Sequence, residues 1–263
     1  GTPLLVLLVG GGLFFALYSR FTPYRHIPHA VALMLGRYDD PSDEGELTHA
    51  QALAAALAGT LGLGNIAGVA LAIVAGGPGA VFWMWVTALV GIATKYFTCT
   101  LGIMYRGRDS LGDLQGGPQY IIREALPKAF YPLAILFSAA GLIGTLPIFQ
   151  TNQLTALVRQ QAGIEGEPML VNLAIGFVIA SVVASVIFGG LQRVAKVAVA
   201  LLPTMALIYL GMTLVVVATN FERVPSMFAL IFTEAFNPQA VGGGFLGVML
   251  IGVSRGAFSN EAG

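Results

Sequence analysis

Long apolar runs separated by short polar connections make up this chain. Seven runs, at about 3–19, 49–75, 79–104, 129–158, 168–189, 193–219 and 240–263, approach or exceed the ~20 residues that a membrane-crossing helix needs. Leu, Ala, Val, Gly and Met dominate them without a strict period of two, so the pattern predicts helices rather than a barrel. No basic segment precedes the first run and Arg20 and Arg25 follow it, which suits an anchor helix better than a signal peptide. The connections carry their own signals. Gly116-Gly117-Pro118 is a breaker cluster ahead of a short amphipathic piece, and Pro225 and Pro238 bound a connection with an apolar middle suited to the headgroup region.

Composition agrees with the pattern. Of 263 residues, 56% are hydrophobic and 10% charged, and the mean hydropathy is +0.81. A water-facing domain carries about 25% charged residues, so a soluble enzyme, a disordered tail and a nucleic-acid binder are excluded. The net charge of zero offers no field for a phosphate backbone. Cys99 is the single cysteine, which leaves no internal disulfide framework.

Charge sets the expected orientation. With the N-terminus outside, inner loops hold Arg20, Arg25, Arg37, Arg106, Arg108, Arg123, Lys128, Arg193 and Lys196, against Arg159 and Arg223 outside. Positive residues concentrate on the cytoplasmic side, so loops 20–48, 105–128 and 190–196 are expected there. Residues 20–48 also hold His26, His29 and His49 near Asp39, Asp40, Asp43, Glu44 and Glu46. Their spacing matches no metal-ligand pattern, and a solvated linker is the preferred reading.

Two runs do not read as continuous helices. Gly59-Thr60-Leu61-Gly62-Leu63-Gly64-Asn65-Ile66-Ala67-Gly68 has four glycines in ten residues, each costing about 1 kcal/mol in a helix relative to Ala. The last run ends Ser254-Arg255-Gly256-Ala257-Phe258-Ser259-Asn260-Glu261-Ala262-Gly263. Asn65-Ile66-Ala67-Gly68 and Asn260-Glu261-Ala262-Gly263 share three of four residues, five spans apart and so in opposed orientations. Glycine-interrupted helices at matching places in inverted halves point to a transporter's binding site. In hydrocarbon an unpaired backbone group costs several kcal/mol, so something must satisfy the freed N–H and C=O groups. The alternative is glycine-mediated helix packing; Asn65, Asn260 and Glu261 beside the breaks favour a site, since polar groups at mid-membrane are expensive. Gly62, Gly64 and Gly68 do not form a dinucleotide fingerprint, because the last spacing is one residue too long and no strand precedes them.

The run from Ala56 to Ala70 resembles the first broken helix of the alanine or glycine:cation symporter family. Gly76-Gly77-Pro78-Gly79-Ala80, Phe82-Trp83-Met84-Trp85, Ala93-Thr94-Lys95-Tyr96, Gly116-Gly117-Pro118, Gln150-Thr151-Asn152 and the segment from Arg255 to Gly263 resemble further family motifs, in order. The resemblance implies an all-α, leucine-transporter-type inverted-repeat bundle and sodium-driven symport of small neutral amino acids, alanine or glycine, in the cell membrane. Its implied organisation is an extra helix at 1–20, a cytoplasmic linker at 21–48, a first five-helix repeat at 49–219, an outer connection at 220–239 and the start of a second repeat at 240–263. Since the chain stops inside that last motif, it reads as a C-terminally truncated fragment. Thr98, where an acidic residue is expected, Ile121 and Pro147 depart from the family pattern.

Site roles follow from the broken helices and the resemblance. Gly62 and the amides around Gly64, Asn65 and Ile66 are expected to hold the substrate carboxylate, as helix N-termini do. Carbonyls near Thr60 and Leu61 are expected to face sodium, the coupling ion; no other cofactor is expected. On the family analogy Gln150 touches the substrate, with Asn152 behind it, and Phe258, Ser259 and Asn260 complete the pocket. The bland alternatives are a Thr60 hydroxyl bonded to its own helix and an Asn152 helix–helix bond. Glu261 is read as a structural acceptor or a partner of Lys95 or Arg255 in preference to a proton-coupling group. A passive channel would want a repeating ring of charges or carbonyls, and an intramembrane enzyme lacks any His in the spans or any H-E-x-x-H or G-x-S-x-G motif. Neither is favoured, and an inactive fragment is the remaining alternative.

Overall fold

The computed structural model describes residues 2–38, 47–60, 62–144, 146, 148–166, 168–237 and 244–259. It is an all-α bundle. Helix α1 (Thr2–Tyr18) ends where Arg20 and Phe21 both take left-handed backbone angles (φ 52° and 59°), a tight corner into α2 (Thr22–Arg25) and α3 (Ile27–Met34). The segment read as a solvated linker is therefore partly helical, and Ile27, Val31 and Met34 of α3 are exposed as a lipid-facing surface would be. Prolines at the start of both short helices supply a preset φ where no N–H is needed.

The second run is two helices, α4 (His49–Thr60) and α5 (Leu63–Gly76). Gly77, at φ 72°, ends α5, and Pro78 leads into α6 (Gly79–Met104), the longest helix of the first half. Beyond it a small antiparallel hairpin, β1 (Gly107–Arg108) with β2 (Leu114–Gln115), pairs Gly107 with Gln115. The amphipathic piece predicted after Gly117 is α7 (Pro118–Ala125).

The fourth run, expected as one span over 129–158, is instead α8 (Tyr131–Gly144) and α9 (Ile148–Gln161). A proline at 147 offers no N–H to the carbonyl four residues before it, so the sequence itself carries a reason for the helix to stop. The backbone makes local turn bonds instead, Leu146 N–H to Ile143 O at 3.3 Å and Ile148 N–H to Leu146 O at 2.8 Å. Helices α10 (Met169–Ile187) and α11 (Gly190–Thr219) follow; α11 keeps its helix through Pro203. The apolar middle of the connection after it is α12 (Val224–Ala235), and α13 (Gly244–Ser259) comes last.

By length and composition, α6, α10 and α11 can each cross a membrane alone, and the shorter apolar helices include parts of α1, α5, α8 and α13. Packing centres on α6, which touches α1, α12 and α13. A Cβ on Gly12 would lie 2.8 Å from the Val90 carbonyl, so α1 and α6 meet backbone to backbone, and Phe15 stacks on Phe97 at 4.7 Å. Ala72, Ala80 and Val248 form a fully buried cluster joining α5, α6 and α13. Helix α5 also meets α9, whereas α4 packs against α11 and α3.

Candidate functional site

The break between α4 and α5 has a simple local cause. Gly62 is extended (φ −89°, ψ 169°) and stands as the N-cap of α5 without a side chain to cap it. Its carbonyl takes the N–H of Asn65 at 3.2 Å and of Ile66 at 3.3 Å. The Asn65 and Ile66 amides, expected to face a ligand, are both engaged here at the start of the α5 ladder. Helix geometry leaves the amides of Leu63 and Gly64, the two residues before them, without a partner inside α5. Thr60 ends α4, and Leu61 lies outside the described residues. Among the motif's described side chains Asn65 is half-buried, Ile66 is exposed and Gly68 is buried.

The second expected interruption is not found where it can be seen. Helix α13 runs unbroken through Ser254, Arg255 and Gly256 to Ser259, so no lapse occurs over 256–259. Small residues here serve packing instead. A Cβ on Gly252 would sit 2.5 Å from the Ala80 carbonyl, and one on Gly256 3.0 Å from Thr87. These contacts lay α13 along α6 in the same direction, residue 252 beside 80 and 83, residue 256 beside 84 and 87. Phe258 and Ser259 are the last two residues of α13; Asn260 and Glu261 lie outside the described residues.

What the sequence reading missed is the second broken helix, α8/α9. Gln150 occupies the first turn of α9, directly after the break, with Thr151 and Asn152 following it. Gln150 and Asn152 are exposed, while Thr155 is buried and donates to the Thr151 carbonyl at 2.8 Å. Since α9 touches α5, the motif of the fourth run and the glycine motif lie on neighbouring helices. Pro147 three residues before Gln150 was the available signal.

At the other end of α5, beside the turn into α6, α12 packs on the first turns of α6. Trp83 Nε1 donates to the Ala235 carbonyl at 3.0 Å, and Phe82, Phe232 and Phe236 pack edge to face about it, at 5.1–5.5 Å from the Phe82 ring. Trp83 and Trp85 therefore fasten α6 to α12, in keeping with their reading as packing and interface anchors. On the polar side, the Asp109 carboxylate accepts the Leu111 N–H at 2.9 Å, the Asp113 N–H at 3.0 Å and Gln115 Nε2 at 3.2 Å, holding the hairpin closed. The Leu111 amide above all keeps that carboxyl below its ordinary range.

Comparison with known proteins places the arrangement. The chain is 41% identical over its whole length to the sodium/alanine symporter AgcS of Methanococcus maripaludis, of which it covers 58%. It is 37% identical over 99% of its length to the amino-acid carrier protein AlsT of Bacillus subtilis, covering 54%. The chain thus spans a little over half the length of these relatives. The model of one family matches it from residue 1 to residue 263, glycine break, α6 motifs and final segment included. This multi-pass membrane protein belongs to the sodium:alanine symporter family.

Proposed function

We propose that this protein carries small neutral amino acids, alanine or glycine, into the cell together with sodium across the cytoplasmic membrane, its N-terminus outside. The observation that carries the reading is the helix break at Gly62 within an apolar run, in a chain of a family named for sodium and alanine. The substrate carboxylate binds the Leu63 and Gly64 amides at the positive end of α5, where a helix terminus favours an anion by about 0.3–1 kcal/mol at an exposed site and up to ~2 when partly buried. Carbonyls at the end of α4, near Thr60 and Leu61, face the sodium ion. Helix α13 runs along α6, and α6 doubles back from α5 across Gly77 and Pro78, a course that supports the reading in which Phe258, Ser259 and Asn260 complete the pocket. Gln150 reaches it from α9. Phe258 limits the pocket to a short side chain, and Glu261 holds unwound backbone.

The test is uptake of labelled alanine by the full-length protein in vesicles, with and without an inward sodium gradient. Saturable, sodium-dependent uptake is expected, suppressed by unlabelled glycine. Uptake driven by a pH gradient in sodium-free buffer would reverse the assignment of both the coupling ion and Glu261. Gly64→Leu, which puts a branched side chain at the carboxylate subsite, is expected to abolish alanine binding while the protein still inserts. Normal alanine binding by that variant would refute the amide assignment.

A further inference from the structure

A groove of about 550 Å³ lies between α2–α3 and the half of α6 nearest Met104, and none of its lining residues belongs to the helix breaks. Leu33 and Ile92 contribute to its mostly apolar wall, and Lys95, His26, His29 and Cys99 line it with them. Among the described residues no acidic side chain lines it, and the Lys95 ammonium is the one formal charge they contribute. The Lys95 carbonyl accepts the Thr98 hydroxyl at 3.0 Å, but among the described residues its ammonium has neither a hydrogen-bond nor an ion-pair partner. A lysine placed nine residues inside the end of an apolar helix is costly unless something neutral or anionic solvates it. His26 donates Nδ1–H to the Thr22 carbonyl at 3.1 Å, which leaves Nε2 as the nitrogen available to a ligand hydroxyl.

Apolar walls and one unanswered cation are the complement of an amphiphile with an acidic head. We propose that this groove binds an anionic phospholipid, its phosphodiester against Lys95 beside His26 and its acyl chain along Leu33 and Ile92. A free phosphate would satisfy Lys95 but leave the apolar wall uncovered, and a zwitterionic lipid would cover the wall while placing its own ammonium near the lysine. The volume falls in the range of clefts that take small ligands, about 300–1,000 Å³.

The experiment is native mass spectrometry of the full-length protein with phosphatidylglycerol or phosphatidylcholine of identical acyl chains. Phosphatidylglycerol is expected to bind the wild type more tightly. Lys95→Met, which keeps length and apolarity, is expected to weaken phosphatidylglycerol by about fivefold, the worth of one lysine at an anionic surface, and to leave phosphatidylcholine unchanged. Leu33→Trp, which fills the groove and keeps the charge, is expected to weaken both. A second readout needs no lysine variant: in a protein retaining only Cys99, maleimide labelling is expected to slow more in phosphatidylglycerol vesicles than in phosphatidylcholine vesicles. Equal binding of the two lipids, equal labelling in the two vesicles, or an unchanged phosphatidylglycerol affinity in Lys95→Met overturns the proposal.

Discussion

Gly252→Ala offers the sharpest check on how α13 is held. The added Cβ would lie 2.5 Å from the Ala80 carbonyl oxygen and 2.6 Å from Trp83 Cβ. Ordinary contact begins near 3.5 Å, so α13 and α6 must part by roughly 1 Å, and a gap of that size forfeits a quarter to a half of each dispersion contact nearby. The Ala80 oxygen belongs to a helix backbone and cannot swing aside as a side chain would. Overpacking of this kind costs about 1–3 kcal/mol. Gly211 supplies the control, since a Cβ there meets nothing within 4 Å. Gly211→Ala should stabilise by roughly 0.5–1 kcal/mol through lost unfolded-state entropy. Thermal unfolding of the full-length protein in detergent, followed by size exclusion, is expected to move the two variants in opposite directions. If Gly252→Ala melts at or above Gly211→Ala, the close α6–α13 approach is refuted.

Three further outcomes are expected. Trp83→Phe keeps a ring in the aromatic cluster but leaves the buried Ala235 carbonyl without its donor, costing about 1–3 kcal/mol; hydrogen exchange in α12 should quicken, and unchanged exchange would count against the anchor. Because the Asp109 carboxyl is held below its ordinary value, its contribution to the hairpin is complete above the unfolded value of about 4 and fades as pH falls through the folded one. Amide shifts of Leu111 and Asp113 followed from pH 6 downward should report that loss, and Asp109→Asn should abolish the pH dependence. Gln150→Ala is expected to raise the alanine concentration needed for half-maximal uptake at least severalfold without altering sodium-free leak; unchanged kinetics would remove Gln150 from the pocket.

Much of this molecule was legible as a sequence because lipid imposes a crude rule: helices must be apolar and about as long as the bilayer is thick. The α6, α10 and α11 runs satisfy that rule on their own, and the glycine run at 59–68 announced its break. The fourth run was misread because its average hydropathy outweighed a single proline; the missing N–H of Pro147, three residues before Gln150, decided the local structure. The error at 254–259 ran the other way. Gly256 looks like a breaker in a list of residues, yet it answers Thr87 on α6 as Gly252 answers Ala80, and only the packed structure distinguishes a glycine that interrupts a helix from one that lets two helices touch. Residues 22–34 were hidden by charge, since His26, His29 and nearby arginines mask an apolar face that emerges only once α3 is wound.

The division at Gly62 separates more than two helices. On one side α4 is committed to α11 and α3; on the other, α5 is committed to α6, α9 and α13, with only Gly77 and Pro78 between it and α6. The two sides are joined elsewhere as well, since α9 of the α5 side meets α10 and α10 meets α11 of the α4 side, so any tilt at the extended glycine has to be taken up at the α9–α10 and α10–α11 contacts too. A ligand that bound one arrangement of those contacts better than another would shift the balance between them by no more than that difference in affinity.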